Sequence, residues 1–385
     1  MGIGKKDLFL TDVAERALVL CFFIEFEFLK TLFKKASLDI VTDGALFSGK
    51  HSLPPTWTVQ VIAAKPFQCM HSKVFMIQCP GYMRIIVATS NLLQIDYDNL
   101  DNLFYIHDFP ETSTPRDCRF KTQLLKMYRN HTVESPLVAD IHRYDLSLCG
   151  VDLVVSVPGT YYGALEEHEY GQLSLSRFVS ERGIPPRDEG EVVTEHCSSS
   201  IGNLNMAWMQ TFRTSFMGLT GTEASAVSPQ NTKLIYASFR DVAESTPYGE
   251  AGRPLAENIV CNGKWSDPWF PREYFYSYQS RNAGTLYHAK TNVAYDAGGP
   301  LWFVTGSHNF SQAAWGSVVV QGPRARYHGL KTVIANYEVS VLVHGPLLTN
   351  LIPFGLSWHH ALTYRQDSLG RYKSTDSPWT VRKMR

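Results

Sequence analysis

The chain has 385 residues, of which 44% are hydrophobic and 19% charged, the balance of a soluble globular protein with room for two ordinary domains or one large duplicated one. Its 36 basic and 36 acidic side chains cancel, which excludes a molecule that binds nucleic acid through its overall field and confines any polyanion contact to a local patch. The seven cysteines, at positions 21, 69, 79, 118, 149, 197 and 261, are odd in number and never form Cys-x-x-Cys. That spacing argues against a disulfide framework and a structural zinc site, and favours a reducing compartment.

Taken in chain order, the first marked feature is the apolar stretch Ala17–Phe33. It holds Glu25, Glu27 and Lys30, so it makes a poor membrane span and a poor signal peptide, and reads as buried strand or helix. Short β-rich apolar runs follow at Leu38–Val41, Trp57–Ala63, Val74–Gln78, Arg84–Thr89, Val151–Val157, Leu234–Ala237, Leu301–Thr305 and Val339–Val343. Helical segments are expected at Arg119–Tyr128, Leu173–Phe178 and Leu204–Phe216. Near-continuous strands interleaved with helices imply sheets buried on both faces, an α/β architecture. The turn-like Asp145–Gly150 suggests a boundary there, with halves 1–145 and 146–385. Ser180–Thr194 and Ser245–Asp267 read as long loops, of the kind that often carry function.

Each half carries one copy of the same pattern. His71-Ser72-Lys73 leads into an apolar run, a Pro80-Gly81 turn, a second run and Ser90-Asn91; His288-Ala289-Lys290 leads through Gly298-Gly299-Pro300 to Ser307-His308-Asn309. The His-to-Asn separations, 20 and 21, are nearly equal. Residues two apart in a strand share a face, so each His and Lys should project together, and the hairpin should return its Asn to the same end. An ammonium and an amide N–H₂ suit the non-bridging oxygens of a phosphate, and two imidazoles can divide the roles of nucleophile and general acid. The pattern therefore points to phosphoryl transfer onto a histidine, without a metal. From the residues alone, Phe67 could equally be a core aromatic, Glu338 a surface charge, and Ser198, Ser199 and Ser200 helix N-cap residues.

The paired His-x-Lys…Asn sets resemble the phospholipase D superfamily, and within it the tyrosyl-DNA phosphodiesterase family. Gln78 and Tyr295 stand where the general superfamily motif has Asp, a mark of the tyrosyl-DNA branch. Ala88–Leu92, Ser156–Gly159, Asn309–Gly316, Tyr337–Val339 and Asp376–Trp379 carry further likeness, from about residue 20 to the C-terminus. The resemblance implies two similar α-β-α sandwich domains, each with a mixed β-sheet, related by pseudo-two-fold symmetry. It implies His71 as nucleophile, His288 as the acid and then the base, and Lys73, Lys290, Asn91 and Asn309 around the phosphate. Glu338 would orient His71, and Asn102, where the family usually has Gln, would partner His288. Phe67 would stack on a DNA base, and Ser198, Ser199 and Ser200 would form a phosphate-binding turn.

The implied activity is metal-independent, cofactor-free hydrolysis of 3′-phosphotyrosyl and other blocked DNA 3′ ends through a phosphohistidine. The implied partners are single-stranded or duplex DNA ends bearing a topoisomerase-derived peptide, with no membrane, for a monomer in the nucleus. The runner-up is another phospholipase D-type phosphodiesterase, a nuclease or a lipid enzyme. The chain departs from the family at Asn102 and at Gly306-Ser307-His308, which bears on rate and substrate preference.

Overall fold

The computed structural model describes residues 3–47, 49, 51–63, 65–66, 68–164, 168–182, 192–202, 204–219, 226–245, 260–261, 268–277, 285–322, 329–345, 348 and 370–371. The first part of the chain forms strands β1 (Arg16–Cys21), β2 (Ser37–Asp43), β3 (Trp57–Ile62), β4 (Cys69–Met70), β5 (Lys73–Cys79), β6 (Tyr82–Ala88), β7 (Leu100–Asp101) and β8 (Phe104–Pro110). Six of them build one mixed sheet in the order β3-β2-β1-β5-β6-β8. Neighbours β1–β2 and β2–β3 are parallel, whereas β1–β5, β5–β6 and β6–β8 are antiparallel. The β5–β6 hairpin turns at Pro80-Gly81, where Gly81 takes a left-handed φ of 79° that a side chain would resist. Ala17–Phe33 resolves into β1 followed by the helix Phe26–Leu32.

The later strands are β9 (Asp152–Ser156), β10 (Gly159–Gly163), β11 (Val193–Cys197), β12 (Ser200–Ile201), β13 (Thr232–Ile235), β14 (Val260–Cys261), β15 (Phe275–Ser277), β16 (Leu286–Tyr287), β17 (Thr291–Asp296), β18 (Gly299–Gly306), β19 (Ser317–Gln321), β20 (Gly329–Ile334), β21 (Asn336–His344) and β22 (Gly370–Arg371). Their main sheet runs β22-β15-β13-β11-β17-β18-β21, with β9 also paired to β21. Pairs β11–β13 and β13–β15 are parallel; β11–β17, β17–β18 and β18–β21 are antiparallel. The order and direction of β15-β13-β11-β17-β18-β21 repeat those of β3-β2-β1-β5-β6-β8. This is the duplicated α/β fold with mixed sheets that the sequence pattern implies.

Strand alternation divides the apolar side chains among three main cores. Val19, Phe75, Ile77 and Ile86 face the helix Phe26–Leu32 on one side of the first sheet. Leu18, Val74, Met76 and Ile85 turn the other way, into a core shared with Val155, Val293, Phe303, Val339 and Val341 of the second sheet. Phe120, Leu124 and Met127 of the helix Arg119–Asn130 join that shared core. Beyond the second sheet, Val304 and Leu342 pack with Trp208, Phe212 and Phe216 of the helix Met206–Phe216. The two sheets are thus joined by apolar burial, the non-directional term that dominates folding, over a common face. A separate three-stranded sheet, β10-β20-β19, has no counterpart in the expected strands.

Among the described residues, two short pairings cross between the halves. Strand β4 lies parallel to β21, and β7 lies parallel to β16. They sit immediately before the two histidine motifs, His71 after β4 and His288 after β16.

At the end of β18, Gly306 has a φ of 155°, and a Cβ there would meet the Val339 carbonyl oxygen at 2.3 Å and the Ser340 Cα at 2.5 Å. Gly306→Ala must push β18 from β21 at Val339 and Ser340, next to Glu338 in the chain. The expected cost is about 2–4 kcal/mol of overpacking and backbone strain together, measured as a lower urea midpoint; an unchanged midpoint would refute this close approach.

Candidate active site

Neither histidine lies inside a strand. Strand β5 begins at Lys73 and β17 at Thr291, so both His-x-Lys motifs sit at the mouths of their sheets. The reason is that a strand of the other half takes each histidine's backbone. The His71 N–H donates to the Tyr337 carbonyl at 3.0 Å, and the His288 N–H donates to the Asp101 carbonyl at 2.9 Å. The expected common face of His and Lys within one strand gives way to a different device. Lys73 Nζ donates to the His71 carbonyl at 2.7 Å, and Lys290 Nζ donates to the His288 carbonyl at 2.6 Å. Each lysine folds back on its own motif.

His71 Nδ1 lies 2.8 Å from Glu338 Oε2. Glu338 is fully buried, and Ser307 Oγ (2.5 Å) and Asn336 Nδ2 (3.2 Å) donate to its carboxylate as well. Ser307 Oγ also accepts the Val339 N–H at 2.8 Å, so this residue, a departure from the family pattern, holds the carboxylate in place. Burial pushes Glu338 up, but the charge and hydrogen bond of the His71 imidazole, aided by His308 and Lys73, bring it down to about 2. Burial lowers His71 in turn, with Glu338 pulling it up and Lys73 pulling it down. The 2.8 Å contact therefore presents an ionised Glu338, a proton on His71 Nδ1 and a lone pair on Nε2. Phe22 flanks this histidine, with ring centroids 5.1 Å apart, and lies under the Lys73 ammonium at 5.5 Å.

His288 is buried more deeply, and its Nδ1 lies 3.1 Å from Asp96 Oδ2. Asp96, in the short helix Gln94–Asp98, was not among the expected site residues. Asn102, expected as the partner of His288, is engaged elsewhere. Its Oδ1 accepts from Thr89 Oγ1 at 2.8 Å and its Nδ2 donates to the Asp96 carbonyl at 2.8 Å, bracing the loop that carries the carboxylate. Burial and the Lys290 ammonium push His288 down to about 4, against the pull of Asp96.

The two sets act on each other electrostatically. Lys290 lowers His71, Lys73 lowers His288, and burial followed by Lys73 holds Lys290 well below the ordinary lysine range. Burial also lowers Lys73. The two buried lysines thus lie near enough to act on one another across the two halves. Asn309 Oδ1 is fixed by Ser198 Oγ (3.0 Å), Ser199 Oγ (3.3 Å) and the Ser200 N–H (3.1 Å), which leaves its Nδ2 as the end available to an anion. Ser198, Ser199 and Ser200 therefore position Asn309 rather than cap a helix; the helix Met206–Phe216 is capped by Asn205. The Asn91 N–H donates to Asp96 Oδ2 at 2.6 Å, and the Asn91 amide oxygen is buried without a partner. Phe67 and Asp376–Trp379 lie outside the described residues.

Three further histidines are structural. His308 contacts Ser156 Oγ and Ser340 Oγ at 2.9 and 2.8 Å and stacks on the fully buried Trp315. His131 reaches Ser72 Oγ at 3.2 Å and the Met127 carbonyl at 2.8 Å, behind His71. His196 spans Asn292 and Thr194.

Two like sheets, each ending in one His-x-Lys…Asn set that faces the other, define a phospholipase D-like fold. The chain matches the family model described as tyrosyl-DNA phosphodiesterase over residues 3–379. It belongs to that family. It is 24% identical over 295 residues to tyrosyl-DNA phosphodiesterase 1 of Arabidopsis thaliana, covering 72% of this chain and 47% of that one. It is 27% identical over 308 residues to tyrosyl-DNA phosphodiesterase 1 of Drosophila melanogaster, covering 74% and 51%. The chain spans about half the length of these two curated relatives. A crystal structure of the yeast tyrosyl-DNA phosphodiesterase superposes with a TM-score of 0.69 at 16% identity, over 89% of this chain and 87% of that one, and so shares the fold.

A carboxylate whose folded pKa is depressed contributes stability that is present above its ordinary value and lost as pH falls through the folded one. With Glu338 near 2 against an ordinary 4.5, the stability advantage of the native chain over Glu338→Gln should be complete above about pH 5 and shrink on acidification. Denaturant unfolding of both proteins between pH 6 and pH 3 measures this. A difference that stays flat over that range would overturn the assignment of a depressed Glu338 carboxylate.

Proposed function

We propose that this chain hydrolyses the phosphodiester between a DNA 3′ end and a tyrosine, with residues 1–145 supplying the nucleophile and 146–385 the acid. The observation that carries the reading is the His71–Glu338 contact of 2.8 Å opposite a second His-x-Lys set, within one cluster of buried ammoniums. His71 Nε2 attacks phosphorus, and the P–O bond to the tyrosyl oxygen breaks as His288 Nε2 gives that oxygen its proton. A phosphohistidine remains. His288, now neutral, takes a proton from water; the hydroxyl adds to phosphorus, the P–N bond breaks, and a 3′-phosphate leaves with His71 restored. Lys73, Lys290, Asn91 and Asn309 hold the non-bridging oxygens and offset charge on them as they become equatorial.

These side chains supply the nucleophile, the proton and the counter-charge for both steps. A DNA end carrying a peptide on the tyrosine, and a nuclear location, go with this reading through the family. The test is tyrosine release from a 3′-phosphotyrosyl oligonucleotide in EDTA. His71→Ala should abolish release, a loss of at least about 10³-fold. His288→Ala should slow the second step so that a protein–DNA adduct accumulates on a denaturing gel. Release in EDTA with full activity of His71→Ala would sink the assignment of the nucleophile, and no release by the native chain would sink the function.

A further inference from the structure

We propose that Asp96 is the positioning residue of the acid histidine: from the first half of the chain it holds the Nδ1 edge of His288, so that Nε2 carries its proton toward the leaving tyrosyl oxygen. The inference rests on the phosphodiesterase reading above and adds to it a residue and a role. Three observations support it.

The first is placement. Asp96 Oδ2 lies 3.1 Å from His288 Nδ1, and the next peptides along, His288 and Ala289, both donate to the Asp101 carbonyl at 2.9 and 3.1 Å. With β7 lying parallel to β16, the segment 96–102 forms the wall against which His288 rests. His288 Nδ1 is buried without a formed hydrogen bond, and catalytic contacts of this kind tighten as the ring takes up charge.

The second is cost. Asp96 is 1% exposed, and its Oδ1 is buried with no hydrogen-bond partner. Accepting the Asn91 N–H needs only a neutral oxygen, which an Asn would supply. A buried carboxylate with an idle oxygen costs at least about 1–3 kcal/mol, so the charge itself must have a use. His288 is faced by Lys290 and Lys73 as well as Asp96, and of these only Asp96 favours its protonated form.

The third is reciprocity. Glu338, from the second half, meets Nδ1 of the first half's histidine; Asp96, from the first half, meets Nδ1 of the second half's histidine. Each half lends the other its carboxylate. Asn102, whose amide is already used at both ends, fixes the Asp96 backbone instead.

A proton donor matters in proportion to the basicity of the leaving group. The experiment compares two oligonucleotides, one ending in 3′-phosphotyrosine and one in a 3′-(4-nitrophenyl) phosphate, whose phenolate departs without protonation. For Asp96→Asn, the first-turnover rate on phosphotyrosine should fall about 10- to 100-fold, a part of the about 10²–10⁴-fold that acid–base catalysis contributes. The nitrophenolate burst should stay within about threefold of the native chain, which also shows that the variant is folded. On phosphotyrosine, the pH above which the first-turnover rate declines should move downward, because the variant no longer favours the protonated ring. Equal losses on both substrates, or no loss on phosphotyrosine, would overturn the role of Asp96. A native chain that turns over neither substrate would instead refute the function on which it rests.

Discussion

Buried charge is the constraint on which the rest of this structure depends. Lys73 and Lys290 are both essentially excluded from water, and each raises the cost of ionising the other. Charges so placed must be paired. Two buried carboxylates, Glu338 and Asp96, are the counterweights, and with neutral imidazoles the four charges cancel. A phosphodiester anion entering this cluster adds one negative charge, and the least costly compensation is a proton on His288. The low proton affinity of His288 is then compatible with the acid role proposed for it: a bound phosphodiester would supply the charge that loads it.

The same constraint explains why the motifs lie where they do. A histidine inside a strand would spend its backbone on its own sheet. At the sheet mouth, His71 and His288 instead bond Tyr337 and Asp101 of the opposite half, which carries the needed carboxylate into range. The short pairings β4–β21 and β7–β16 are therefore part of the site as much as of the fold. They bind the two halves at the one place where a small relative shift would separate each imidazole from its partner.

Much of the fold was legible in the sequence because it follows from local pattern. The apolar runs at Val74–Gln78 and Arg84–Thr89, and the turn at Pro80-Gly81, specify a hairpin wherever the rest of the chain goes, and the second copy specifies another. The candidate site residues were legible for the same reason, since spacing alone places a His, a Lys and an Asn at the end of each hairpin. What escaped was set by contacts between distant segments. Asp96 lies five residues beyond Asn91, in a short turn of helix with nothing in its neighbours to mark it, and its value comes from His288, far along the chain. Asn102 was given that place by analogy with a longer Gln; one methylene fewer leaves its amide on Thr89 and the Asp96 carbonyl. Ser307 read as part of the repeated pattern and the three serines at 198–200 as helix N-cap residues, and only the fold shows that they hold Glu338 and Asn309.

The division of labour proposed for the two histidines follows from how completely each carboxylate is occupied. Glu338 receives donors from His71, Ser307 and Asn336, and the His71 side chain retains 12% exposure against 4% for His288. A carboxylate fully committed in this way fixes one tautomer and aims a lone pair outward, which a nucleophile requires. Asp96 accepts from the Asn91 N–H and keeps an unpartnered oxygen beside a ring with little access to water. Spare acceptor capacity in a dry site is of little use to a neutral imidazole and of much use to an imidazolium, because electrostatic attraction is strongest where the dielectric is low. The duplicated fold thus offers two nearly equivalent positions, and in the proposed reaction the hydrogen bonds around the two carboxylates, rather than the histidines themselves, set which is nucleophile and which acid.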